Sequence, residues 1–170
     1  MKLKNLIGLI LILGLFQSFS LRAQDKPITV ILLRHAEKLP EGKDPDLSPK
    51  GQEFAVRLTK IFSDIKIDAA YTTAYKRTAQ TITPLAEQNQ QKLITYDPTK
   101  SNELVKKIEE SGSSTVLIAG HSNTVNLVYN ALIKDKKIEA LGDDEYRKVF
   151  VIYYYPKNQS LSRAVKLDLN

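Results

Sequence analysis

The chain has 170 residues and a mass of 19.2 kDa, enough for one compact domain and too short for two ordinary ones. With 42% hydrophobic and 26% charged residues it has the composition of a folded globular protein, which excludes a disordered or collagen-like chain. Cysteine is absent, which excludes a disulfide scaffold, a thiolate zinc site and a cysteine nucleophile. The formal charge is +6, but residues 1–23 carry Lys2, Lys4 and Arg22 and no acid. The remainder holds 22 basic and 19 acidic residues, a balance of +3 that gives little support for nucleic-acid binding.

In chain order, Lys2 and Lys4 precede an apolar run from Leu6 to Phe16. Gln17, Ser18 and Ser20 restore polarity ahead of Leu21-Arg22-Ala23. That is the order of a secretory signal, with cleavage expected after Ala23. The run is short for an uncleaved anchor, which needs about 20 apolar residues. The expectation is an exported protein, periplasmic or extracellular, with residues 24–170 as one domain and no stable membrane association after cleavage.

Ile28 to Leu33 is a continuous apolar run, as a strand buried on both faces requires. Residues 39–46 read as a loop, and Ser48-Pro49 as a helix start, with Ser as N-cap and Pro in the first turn. Phe54, Val56, Leu58, Ile61 and Phe62 supply the apolar face, with Gly51 a small local cost. A strand is expected over 67–71. A helix follows over 75–90, kinked or started late by Pro84. Then come a strand over 93–96, a helix over 104–110, a strand over 115–119 and a helix over 122–133. Residues 134–144 form a charged loop. Strands over 149–155 and 161–169 form a hairpin turning at Pro156-Lys157-Asn158. The alternation predicts a three-layer α/β/α fold, its central sheet mostly parallel with an antiparallel C-terminal edge.

In open parallel sheets, ligands bind beyond the carboxyl ends of the strands. The only histidines, His35 and His121, both fall there, after the strands ending at Leu33 and Ala119. Arg34 adjoins His35, and Lys76-Arg77 follows the second strand. Arginine donors match phosphate oxygens, and the amides of Ser122 and Asn123 ahead of a helix would add anion affinity. A metal site would need further ligands at suitable spacing, and no such motif occurs. The pattern points to a phosphate facing a neutral histidine nucleophile, with no metal or cofactor.

The segment Leu32-Leu33-Arg34-His35-Ala36-Glu37 resembles the RHG signature of the histidine phosphatase superfamily, the phosphoglycerate mutase-like fold. Leu47-Ser48-Pro49-Lys50-Gly51 is similar to that family's L-T-x-x-G helix start. Residues 71–81 (YTTAYKRTAQT) are similar to its S-S-x-x-x-R-A-x-Q-T stretch, and Gly120-His121-Ser122-Asn123 to its G-H motif. The resemblance spans about Val30 to Tyr155. Ala36 stands where Gly is frequent, and Thr72-Thr73-Ala74 where Ser-Ser-Pro is usual.

The resemblance implies that His35 becomes phosphohistidine while Arg34, Arg77 and His121 hold the phosphoryl group. It implies a carboxylate general acid, for which Asp97 is the candidate and Glu37 and Glu103 its rivals. Only 43 residues separate Arg77 from His121, too few for the helical lid of sugar-phosphate mutases. The chain is therefore similar to compact SixA-type phosphohistidine phosphatases, with an open site suited to a phosphorylated small molecule or a phosphoprotein. A non-catalytic phosphate-binding domain and a mutase-type phosphotransferase are the alternatives. A monomer without nucleic-acid partners is expected.

Overall fold

A computed structural model describes residues 26–169. The expected export signal and its cleavage point lie outside the described residues. The sheet has six strands: β1 (Ile28–Arg34), β2 (Ala69–Thr72), β3 (Leu93–Thr95), β4 (Thr115–Gly120), β5 (Lys148–Tyr154) and β6 (Arg163–Asp168). Their spatial order is β3-β2-β4-β1-β5-β6. The first four run parallel, while β5 and β6 add antiparallel at one side. The helices are α1 (Pro49–Ile61), α2 (Lys76–Gln88), α3 (Ser101–Glu110) and α4 (Val125–Leu132).

Strand alternation divides the core in two. Val30 and Leu32 of β1 join Val116 and Ile118 of β4 beneath α3 and α4, against Leu104, Ile108, Val128 and Leu132. Ile31 and Leu33 face the other way with Leu117 and Ala119, against Phe54 and Leu58 of α1 and Ile82 and Leu85 of α2. The central strands are apolar on both faces because helices cover both, giving the expected three layers. Among the described residues, no helix is long and apolar enough to cross a membrane.

Several boundaries differ from the sequence-based expectation. α2 runs through Pro84 without a late start. Proline there removes one donor, and buried Ile82, Leu85 and Ala86 hold the helix against the sheet regardless. α3 begins at Ser101 rather than 104. α4 begins at Val125 rather than 122, because residues 122–124 form a turn in which the His121 carbonyl accepts from the Thr124 and Val125 amides, at 3.1 and 3.0 Å. The hairpin connection is longer than expected: a 3₁₀ turn (Gln159–Leu161) follows Asn158, so β6 starts at Arg163.

Candidate active site

β1 and β4 are hydrogen-bonded neighbours with Arg34 opposite Gly120. The His35 amide extends this ladder to the Gly120 carbonyl at 2.9 Å. Two histidines 86 positions apart are therefore delivered to adjacent strand ends, their ring centroids 5.5 Å apart and their planes at 65°. His35 is 3% exposed, Arg34 5% and His121 9%. Arg34, His35, Arg77 and His121 line one cleft of about 430 Å³, together with Lys38, Tyr75, Pro98, Thr99 and Ser122 to Thr124.

The hydrogen bonds assign the imidazole protons. His35 Nδ1 lies 2.8 Å from the Ala36 carbonyl oxygen, which can only accept. Nδ1 therefore carries the hydrogen and Nε2 keeps its lone pair. For His121 the order is reversed. Arg77 Nη2, which can only donate, lies 3.5 Å from His121 Nδ1. Nε2–H then donates to Thr73 Oγ1 at 3.0 Å, Thr73 to Thr78 Oγ1 at 2.8 Å, and Thr78 to the Tyr75 carbonyl at 2.7 Å. Both rings are held neutral. Burial, with Arg34, Arg77 and His121 as further causes, lowers the His35 pKa to about 4. Burial, then Arg77 and Arg34, lowers that of His121 to about 4.

Each arginine is fixed from outside the cleft. Arg34 Nη1 donates to the carbonyls of Gly142 and Asp143, at 2.7 and 3.1 Å, and its guanidinium stacks 4.0 Å from the Tyr146 ring centroid. The loop carrying these groups is tied back by the Leu141 amide to the Ser122 carbonyl at 2.9 Å. Arg77 pairs with Asp44 at 3.4 Å and lies over Tyr75. The same Asp44 carboxylate accepts from the Lys76 amide, capping α2 where Tyr75 offers no side-chain cap. The Nε atoms of both arginines are buried without a hydrogen-bond partner. Two charged donors left unsatisfied beside two neutral imidazoles fit an anion with several oxygens.

The residues around Arg77 hold the loop after His35. Buried Thr81 accepts from the Ala36 amide at 2.8 Å while donating to the Arg77 carbonyl at 2.6 Å. Gln80 accepts from the Leu47 amide at 2.9 Å and donates to Asp46 at 2.8 Å. Lys76 turns to Asp46, 3.9 Å away, and does not line the cleft.

None of the three candidate acids lines the cleft. Asp97 is exposed, and its carboxylate accepts from the Thr99 amide and hydroxyl, at 2.9 and 2.7 Å. Those bonds lower its pKa, the reverse of what a proton donor needs. Glu37 pairs with Arg147 at 3.2 Å and Lys50 at 3.7 Å, and Glu103 with Lys100 at 3.1 Å. Sequence reasoning missed Asp44, Tyr146 and the carbonyls of 142–143. The only hint of Asp44 was an acid in a loop ahead of an uncapped helix. Among the described residues, no three histidine or acidic side chains cluster as a metal site would require.

The geometry suits an oxyanion at the carboxyl edge of a mostly parallel sheet. The family model described as the histidine phosphatase superfamily (branch 1) matches residues 30–100. The protein histidine phosphatase SixA, solved with tungstate, superposes with a TM-score of 0.68 at 11% identity, covering 83% of this chain and 97% of that one. The mycobacterial glucosyl-3-phosphoglycerate phosphatase, solved with VO3, superposes with a TM-score of 0.64 at 13% identity, covering 82% and 97%. At these identities the two structures show a common fold. No curated protein sequence matches the chain significantly. Residues 30–100 thus carry the pattern of the histidine phosphatase superfamily, and the chain shares its fold with these two phosphatases.

Proposed function

We propose that the protein is an exported phosphatase that hydrolyses a phosphate ester or phosphoramidate through a phosphohistidine on His35. The observation that carries this reading is the His35 tautomer: Nδ1–H is bound to the Ala36 carbonyl, so Nε2 keeps its lone pair in a residue that lines one cleft with Arg34 and Arg77, each with a buried, unpartnered Nε. Nε2 attacks phosphorus, the bond to the leaving group breaks, and the leaving group takes up a proton from water. Water then attacks the phosphohistidine, releasing phosphate and restoring neutral His35. Arg34 and Arg77 neutralise charge on the equatorial oxygens, and His121 lies beside them, joined to Arg77 through Nδ1. Export rests on the charged and apolar order of the first 23 residues.

With no carboxylate lining the cleft, the site suits leaving groups that depart without strong acid assistance, such as an imidazole nitrogen or a phenolate. Between Arg77 and His121 the chain builds only the rest of α2, then β3, α3 and β4, so nothing there closes over a held intermediate as a mutase needs. The test is turnover of p-nitrophenyl phosphate and phosphoimidazole, with an alkaline quench to trap phosphoryl on the protein. His35→Ala should abolish turnover and the trapped species while the fold is kept. Full activity in that variant, or activity lost to EDTA and restored by a divalent ion, would overturn the proposal.

A further inference from the structure

The phosphoryl site leaves one cation unused. Lys38 lines the same cleft as Arg34 and Arg77, three positions after His35. Its main chain is fixed: residue 38 bridges Leu47 in antiparallel fashion, and the Leu39 amide donates to the Asp46 carbonyl at 2.9 Å. Its ammonium is not fixed. Its one hydrogen bond is to the neighbouring Leu39 carbonyl, at the long distance of 3.5 Å. Three lysines of neighbouring segments are paired: Lys50 with Glu37, Lys76 with Asp46 and Lys100 with Glu103. Lys38 has no carboxylate within 4.0 Å among the described residues, and none lines the cleft.

Charge accounting separates Lys38 from the phosphoryl machinery. A transferred phosphoryl group carries about two negative charges, and Arg34 and Arg77 match them with planar donors whose Nε atoms lack partners. Lys38, half-buried on the same cleft and without a carboxylate partner, adds a third cation that presents no planar fork to that group. An ammonium on a flexible stem reaches a second anion as a point charge rather than a planar fork.

We propose that Lys38 forms a second anionic subsite, so that the preferred substrate carries a carboxylate or further acidic group beside its phosphoryl group. This rests on the cleft being a phosphoryl site and deepens that reading by naming the substrate class. Complementary charge at a partly desolvated position discriminates substrates by affinity.

The experiment compares phosphonoacetate with ethylphosphonate, neither of which is hydrolysed, by calorimetry on the full chain at alkaline pH, where both phosphonates are fully ionised. The wild type should bind phosphonoacetate roughly ten-fold more tightly, the factor expected for a charge-assisted contact. Lys38→Gln should reduce that preference to about two-fold or less, and Lys38→Arg should keep most of it. The proposal is overturned if the wild type shows no preference, if Lys38→Gln weakens both ligands by one factor, if the preference survives in Lys38→Gln, or if neither phosphonate binds. A protein that shows the preference yet turns over no phosphorylated compound leaves the subsite standing and removes the catalytic reading.

Discussion

At the residue scale, His35 and His121 show how one side-chain type is divided between two tasks. The Ala36 carbonyl takes the Nδ1 hydrogen of His35 and leaves Nε2 with its lone pair, whereas Thr73 takes the Nε2 hydrogen of His121 and turns Nδ1 toward Arg77. The same scale decides the fate of Asp97. Its carboxylate closes a turn onto Thr99, and asparagine presents the same Oδ1 acceptor to the same amide. Asp97→Asn should therefore change turnover of alkyl phosphates and of p-nitrophenyl phosphate alike, by about two-fold or less. A loss of 10²- to 10⁴-fold confined to the alkyl substrates, the range for removing a general acid, would restore Asp97 as the proton donor. The two histidines and two arginines were legible because chemistry-bearing side chains fell directly after apolar runs. Asp44 and Tyr146 were not. Their role is to hold Arg77 and Arg34, and such contacts across 33 and 112 positions leave no local pattern.

At the element scale, the reading of α1 was right in place and wrong in weight. Ser48 caps the helix as its position before Pro49 predicts, accepting from the Gly51 amide at 3.2 Å. Gly51 is more than a local cost in propensity. A Cβ there would lie 2.1 Å from the Glu37 carbonyl oxygen, an impossible approach to backbone. That carbonyl also accepts from the Ser48 amide and hydroxyl, at 2.9 and 3.1 Å. The segment leaving His35 is therefore seated on the first turn of α1, and only glycine admits the contact. Gly51→Ala should cost about 3 kcal/mol or more, read from its denaturant midpoint, and should lower turnover by displacing residues 35–37. Wild-type stability in that variant would show that the loop moves freely and that the contact is incidental. Composition and periodicity found each of the six strands and four α-helices of the described residues. The misplaced ends, at residues 101, 125 and 163, fall where a turn blends into the next element and hydrogen bonding decides the boundary.

At the scale of the whole molecule, the site is a store of unfavourable charge. Arg34, Arg77 and Lys38 converge on one cleft without a lining carboxylate, in a chain whose formal charge is already +6. Burial, with Arg34 and Arg77 as further causes, keeps both histidines neutral, and their pKa values fall from 6.5 to about 4. The unfolded chain binds those two protons below pH 6.5, while the native state refuses them until about pH 4. Stability contributed by the neutral rings is thus full above pH 6.5 and is lost as pH falls toward 4. The slope is about 1.4 kcal/mol per pH unit for each ring. At roughly 2–4 °C per kcal/mol for a domain of this size, the melting temperature should fall steeply across that window. Inorganic phosphate should oppose the fall, because an anion on the two arginines both stabilises the folded state by mass action and favours a charged His121 beside it. His121→Asn should flatten the slope by about half, since one of the two protons is no longer refused. Melting temperatures of the wild type and the variant across this window, with and without phosphate, make the comparison. Equal slopes in wild type and variant would mean that other groups govern acid sensitivity. A slope unmoved by phosphate would mean that the anion does not occupy the histidine cleft.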